Sequence, residues 1–176
     1  DAEIFTSLGV SYMHMGFQDL SFREKTSPDL ISKLFGKYLG EAKCIYPLGF
    51  YNKQISKSDY IVLQAIQKKL HQIIRDKHAI VFAPLAVGGH VDHQITRNIC
   101  QKNFPNIIYW TDFPYSVKNG QQDAFIKKHQ LRKFTHNISD HTIKHSLIKI
   151  YKTQYLPMFP DGSIPKMNEE YYCAKS

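Results

Sequence analysis

Hydrophobic and polar residues recur at different spacings along the first half of the chain, and each spacing predicts an element. The apolar run at residues 9–17 is followed by a polar pair that includes Asp19, which predicts a strand leading into a loop. The Ser-Pro-Asp sequence from residue 27 predicts the start of a helix. Apolar side chains three and four positions apart predict a second helix at residues 58–75.

A strand, a helix and another strand follow in the middle of the chain. Apolar runs predict the strands at residues 79–83 and 106–110, and residues 90–102 between them have a helical pattern. This order predicts a right-handed crossover between parallel strands. After Tyr115 the pattern predicts a loop at 118–122, a strand at 131–139, a helix at 143–155 and a turn-rich surface tail at 157–165.

The most informative polar positions lie where the 79–83 strand gives way to the next helix. A Gly-Gly pair is followed by His90, Asp92 and His93. Residues three apart share a helix face, so the two imidazoles can point at one site. Imidazole is a common metal ligand and proton carrier, and α/β proteins place their sites at the carboxyl ends of strands. The pattern predicts half of an active site; the alternative is two surface histidines that open a helix.

Length and composition narrow the class of protein. With 176 residues, of which 43% are hydrophobic, the chain can bury a substantial core, and its length predicts one domain at 1–176. Its three cysteines are odd in number, widely spaced and form no Cys-x-x-Cys pair, so they indicate neither a disulfide framework nor a zinc knuckle. A reducing, cytoplasmic location is the simplest interpretation. No apolar stretch is long enough to span a bilayer, so we expect a protein without a membrane span.

The net charge of +8 raises the question of an anionic partner. The densest cationic group lies at residues 127–133, where it can form either a solvated face or a phosphate-binding surface. No recognisable nucleic-acid-binding module accompanies it, so we expect no nucleic-acid partner.

Several segments, in the same order, resemble the LmbE-like (PIG-L) family of zinc-dependent N-acetylglucosaminyl de-N-acetylases. The run Gly88-Gly-His-Val-Asp-His93 is similar to the family's second motif, and Tyr109-Trp-Thr-Asp-Phe-Pro-Tyr115 to the aromatic and acidic segment that follows it. Tyr151-Lys-Thr-Gln154 is similar to a late Tyr-x-Ser-Gln pattern, and residues 8–19 resemble an early strand and loop. The resemblance covers most of the chain.

The resemblance implies a Rossmann-like three-layer α/β/α domain with a mostly parallel sheet. It also implies a zinc-dependent hydrolase that converts an N-acetylated amino sugar or glycoconjugate to a free amine and acetate. In this interpretation His93 is a zinc ligand, and His90 and Asp92 are catalytic, with Asp92 orienting His90. The substrate-binding residues implied by the resemblance are Asp19, Arg23, Asp112, Tyr115 and Gln154.

Each substrate-binding residue also has a simpler interpretation. Asp19 can cap a loop, and Arg23 can pair with a neighbouring acid. Asp112 and Tyr115 can belong to the core, and Gln154 can end a helix.

The sequence departs from the family in one respect. The first motif, Ala-His-Pro-Asp-Asp-Glu, supplies two zinc ligands and the general base in the family, and it does not occur here. We therefore expect that the chain lacks the family's first strand, is an incomplete fragment, and is inactive alone. The alternative is a noncatalytic carbohydrate-binding or scaffolding relative. The sequence does not predict an oligomeric state.

Overall fold

The computed structural model describes residues 2–24, 44–46, 54–76, 78–119 and 123–174. The chain forms two compact units, each held together by contacts among its own residues. The major unit comprises Met15–Lys133 and Tyr171–Ser176, and the minor unit comprises Asp1–His14 and Phe134–Glu170. The single domain expected from length stays a prediction.

Helices and strands alternate through the middle of the chain, as the hydrophobic pattern predicts. The helices are α1 (Ala2–Ser7), α2 (Tyr60–Ile73), α3 (Val91–Asn103), α4 (Tyr115–Asn119), α5 (Asp123–Lys128), α6 (Thr142–Ile150) and α7 (Lys152–Met158). The strands are β1 (Val81–Pro84), β2 (Ile107–Trp110), β3 (Leu131–His136) and β4 (Glu169–Ala174). Short 3-10 turns occupy Leu20–Phe22, Lys57–Asp59 and Val87–Gly89.

The four strands form one sheet in the order β1-β2-β4-β3. Strands β1 and β2 are parallel, with Ala83 opposite Tyr109, which confirms the predicted parallel strand pair around α3. Strand β4 runs antiparallel to β2, with Tyr172 opposite Tyr109. The structure therefore confirms an α/β fold, whereas the Rossmann-like, mostly parallel sheet remains a prediction.

Helix α3 is held by two groups of buried apolar residues. Val91, Ile95 and Ile99 recur at four-residue intervals and pack with Leu20 in one cluster. On the sheet side, Cys100 belongs to a second cluster with residues of β1 and β2. Burial on both sides fixes the N-terminal end of α3 relative to the strand ends.

Three local predictions differ from the structure. Residues 10–19 form no regular element, so the strand predicted at 9–17 is wrong; Gly9 and Gly16 have φ values of +63° and +78°, which interrupt an extended strand. The helix predicted at 143–155 is two helices, because Tyr151 between them has ψ +64°. Part of the loop predicted at 118–122 is helical, since α4 continues to Asn119.

The tail at 157–165 contains turns, as predicted, but Phe159 and Ile164 within it are buried. The helix predicted to start near residue 27 lies outside the described residues. Among the residues that the structure describes, no helix is both long enough and apolar enough to cross a membrane. All three cysteines have free thiols.

Candidate active site

A tight turn after β1 positions the two histidines of the motif. Ala86, Gly88 and Gly89 have φ values of +63°, +80° and +67°, a left-handed conformation that glycine adopts without steric cost. His90 follows with extended backbone angles (φ −60°, ψ 127°) and is the N-cap of α3. The Gly-Gly pair therefore lets the chain reverse direction and places His90 just outside the helix, with His93 in its first turn.

The rings of His90 and His93 lie side by side, with their centroids 4.9 Å apart. His93 is also paired with an acid from the neighbouring strand, because its Nδ1 lies 2.6 Å from Oδ1 of Asp112. The other oxygen of Asp112, Oδ2, accepts a hydrogen bond of 2.9 Å from the backbone N–H of Val87. Asp112 thus fixes the ring of His93 and directs its Nε2 away from the carboxylate.

Asp112 lies two residues beyond the end of β2 and is only 2% exposed. Its φ of +51° is uncommon for a residue other than glycine, and aspartate is among the residues that tolerate it best. The parallel pairing of β1 with β2 brings the carboxyl ends of the two strands together. Asp112 therefore lies next to the turn that precedes His93.

Tyr115 is next to both histidines. Its ring centroid is 6.4 Å from that of His90 and 5.9 Å from that of His93. The backbone N–H of Tyr115 donates to the carbonyl of Asp112 over 2.8 Å, which fixes the start of α4 beside the strand end. This half-buried phenol therefore borders the same site as the histidines.

A separate segment, the turn around Leu20–Phe22, supplies the other polar residues. Asp19 caps this turn by accepting a hydrogen bond of 2.9 Å from the N–H of Ser21. Asp92 in the first turn of α3 binds the same segment: its Oδ2 accepts from the N–H of Leu20 over 3.1 Å, and its Oδ1 accepts from Arg23. The Asp19–Arg23 segment is thereby fixed to the histidine motif.

The charges around His90 act on its pKa in opposite directions. Burial lowers the pKa of His90, the neighbouring His93 lowers it further, and Asp92 and Asp19 raise it; the net effect is a lowered pKa. His90 is therefore a neutral imidazole near neutral pH, able to accept a proton. Partial burial raises the pKa of Asp19, but the hydrogen bond from Ser21 and the charge of nearby cations outweigh it, so this pKa is lowered.

The structure brings together seven of the eight predicted site residues in the major unit. Gln154 lies on α7 in the minor unit. Asp92 directs one carboxylate oxygen to Leu20 and the other to Arg23, so the orientation of His90 by Asp92 stays a prediction. Arg23 is 5% exposed and paired with two carboxylates, which agrees with the interpretation that it pairs with neighbouring acids.

The described residues do not fit a complete zinc site. Within them, no group of three His, Cys, Asp or Glu side chains is arranged to hold a metal ion. His93 has the environment of a metal ligand, since a carboxylate holds Nδ1 and Nε2 remains for coordination. One imidazole is fewer than the three protein ligands that a catalytic zinc usually has.

Sequence reasoning missed three residues that support the site. Arg97 donates from Nη1 to the carbonyl of Leu85 over 2.8 Å and lies 4.2 Å from the ring centroid of Phe125. Asp59 pairs with Arg23, and the Tyr46 hydroxyl donates to Asp59, both from outside the motif. Arg97 lies four residues, about one helical turn, after His93, and this spacing could have identified it as a neighbour of the site. The sequence around Asp59 gives no such indication, since an acid at the start of a helix is ordinarily a solvent-exposed cap.

Comparison with known proteins identifies a partial relative. Over 73 residues the chain is 37% identical to 2'-N-acetylparomamine deacetylase of Streptomyces fradiae. The match covers 39% of this chain and 25% of that deacetylase, so the chain spans about a quarter of the relative's length. No family model matches the chain, and no solved structure matches it. The similarity is thus to a deacetylase, over part of each protein.

Proposed function

We propose that this chain carries part of the active site of a deacetylase of the LmbE/PIG-L type. The proposed substrate is an N-acetylated amino sugar or its glycoconjugate. The observation that carries the proposal is the pairing of His93 with the buried Asp112 beside a second histidine, His90, at the carboxyl ends of parallel strands. Similarity to a deacetylase that acts on an acetylated amino sugar supports both the reaction and the substrate class.

The reaction adds water to the acetamide carbonyl, breaks the carbon–nitrogen bond, and gives acetate and a free amine. The leaving nitrogen must gain a proton, and a neutral imidazole can take a proton from one reactant and return it to another. His90 has this capacity because its pKa is lowered by burial and by His93. We therefore assign proton transfer to His90.

The substrate side of the proposed site is formed by Asp19 and Tyr115. Asp19 is exposed, and its pKa is lowered despite partial burial, so its carboxylate is ionised near neutral pH and can accept hydrogen bonds from sugar hydroxyls. Tyr115 offers a ring face and a hydroxyl next to both histidines. Gln154 stays a predicted substrate-binding residue.

Zinc is the proposed metal, with Nε2 of His93 as one ligand. Because no three metal-ligating side chains lie together among the described residues, we expect the 176-residue chain not to retain stoichiometric zinc after dialysis against trace zinc. The zinc content of the wild type and of His93→Ala, measured by inductively coupled plasma mass spectrometry, checks this expectation. Near-stoichiometric zinc that disappears in His93→Ala would contradict the expectation and show that these residues hold a complete site.

Acetate release tests the function directly. The protein as its gene encodes it is incubated with N-acetylglucosamine, an N-acetylated aminoglycoside and, as a non-sugar control, an N-acetylated amino acid. We expect equimolar acetate and amine from at least one amino sugar and none from the amino acid. Absence of acetate from every amino sugar would refute the proposed reaction.

A noncatalytic carbohydrate-binding relative is the second candidate. The incomplete metal site among the described residues favours it. Calorimetric binding of the same amino sugars without release of acetate would support this alternative over the deacetylase.

The cytoplasmic location expected from the sequence also stays a proposal, consistent with three free thiols.

A further inference from the structure

Arg23 lies at the centre of a buried network of charges next to the candidate site. Its Nη2 binds Oδ1 of Asp92, and its Nη1 lies 3.2 Å from Oδ1 of Asp59. Arg23 is 5% exposed and Asp59 is fully buried. A guanidinium presents several donors in one plane and can therefore hold two carboxylates at once.

The second oxygen of Asp59 is bound by Tyr46. The Tyr46 hydroxyl donates to Oδ2 of Asp59 over 2.5 Å and accepts from the N–H of Ser56 over 2.9 Å. Burial raises the pKa of Tyr46 to about 12, and the hydrogen bond to Asp59 contributes in the same direction. The phenol therefore remains a donor near neutral pH, and both oxygens of Asp59 are engaged.

These contacts fix one short segment against the histidine motif. Arg23 and the N–H of Leu20 bind the two oxygens of Asp92, and the Leu20 side chain packs with Val91 and Ile95 of α3. Asp19 precedes Leu20 directly and caps the turn. Removing one member of a buried charge network leaves another charge without compensation, so the position of the segment depends on Asp59.

We propose that Asp59 and Tyr46 are positioning residues of the proposed deacetylase, holding Arg23 so that it fixes Asp92 and keeps Asp19 beside His90. This inference rests on the proposed function. Asp59 and Tyr46 act through Arg23, since Arg23 joins Asp59 to Asp92. The consequence is that substrate alignment depends on two residues outside the motif.

Conservative substitutions test the proposal in the protein as its gene encodes it. Asp59→Asn keeps an oxygen and the side-chain size but removes the charge that pairs with Arg23. Per folded molecule, we expect it to lower kcat/KM for the amino sugar by about 10-fold or more, the scale on which displaced groups impair catalysis. Tyr46→Phe removes one hydroxyl and should cause a smaller loss. Asp76→Asn, at an exposed acid, is the matched control and should have no effect.

Two further measurements separate positioning from general stability. In Asp59→Asn, hydrogen exchange at the backbone N–H of Leu20 should accelerate, because its acceptor Asp92 loses its fixed position. A double variant with Asp19→Asn should lose less activity than the product of the two single losses, since Asp59 is proposed to act through the placement of Asp19.

The outcomes that overturn the proposal are distinct from failure of the proposed function. A lower melting temperature with unchanged kcat/KM would leave Asp59 with a purely structural role, and unchanged exchange at Leu20 would show that the network does not hold the segment. If the wild type releases no acetate, the proposed function fails, whereas the exchange experiment still decides whether Asp59 holds the segment. If Asp59→Asn does not fold, Tyr46→Phe decides by the same two measurements.

Discussion

The chain contains two pairs of closely spaced histidines, and their surroundings differ. In the major unit, His90 and His93 have ring centroids 4.9 Å apart, and His93 is paired with the buried Asp112. In the minor unit, His141 and His145 share one face at the start of α6, with ring centroids 5.9 Å apart. Spacing alone makes the two pairs look alike.

The acids beside the two pairs explain the difference. Within the described residues, neither His141 nor His145 forms an ion pair; the nearby Glu169 binds Lys144 over 2.5 Å, and Asp140 is exposed and accepts a hydrogen bond from the N–H of Thr142. Beside His90 and His93, by contrast, lie acids from other elements of the fold: Asp112 follows β2, and Asp19 precedes the Leu20–Phe22 turn. A histidine pair becomes a candidate site when the fold brings carboxylates to it, and the following variants test that conclusion.

Substitution of the first histidine of each pair should give the largest contrast short of removing the proposed ligand, His93. We expect His90→Gln to lower kcat/KM for the amino sugar by about 100-fold or more, the usual contribution of a positioned acid–base group. His141→Gln should leave kcat/KM within about 2-fold of the wild type, because its ring has no ion pair among the described residues. Steady-state release of acetate measures both. Equal losses in the two variants would remove the distinction between the pairs.

Loss of the charge on the acid beside His93 should have an intermediate effect. Asp112→Asn retains a side chain that tolerates the φ of +51° but weakens the hold on Nδ1 of His93. We expect a loss of about 10- to 100-fold in activity, as is typical when an outer partner of a ligating histidine is changed. Asp140→Asn is the matched variant in the minor unit and should leave the activity unchanged. Wild-type activity in Asp112→Asn would contradict the assigned orientation of His93.

The smallest effect concerns stability at low pH. The pKa of Asp19 lies below its usual value of 3.8, so its ionised form favours the folded state. Its contribution is therefore present above about pH 4 and is lost as the pH falls through the lowered pKa of the folded state. Urea unfolding of wild type and Asp19→Asn should show a difference in free energy at pH 7 that shrinks toward pH 2. A difference that is constant with pH would contradict this assignment.

Local patterns were sufficient to predict the centre of the candidate site. The strand before the turn, the Gly-Gly pair and the helix after it are short-range features, and the structure places them at Val81–Pro84, residues 88–89 and Val91–Asn103. Asp112 and Tyr115 were found through the family resemblance, and both lie beside the histidines.

Features that depend on distant parts of the chain were not predicted. Strand β4 begins with two glutamates, and its pairing within the sheet, antiparallel to β2, identifies it as a strand. The partners of Asp59, which are Arg23 and Tyr46, are likewise distant in sequence. The strand predicted at 9–17 was wrong for a local reason. Its apolar residues are typical of a strand, but the left-handed conformation of Gly9 and Gly16, near its two ends, interrupts an extended backbone.

The most direct test of the proposed site compares His93→Ala with His145→Ala, each in the protein as its gene encodes it, in acetate release from an N-acetylated amino sugar. We predict that His93→Ala abolishes measurable release while folding cooperatively, and that His145→Ala retains the wild-type rate. Retained activity in His93→Ala, or equal loss in both variants, would contradict the assignment of the deacetylase site to the turn between β1 and α3.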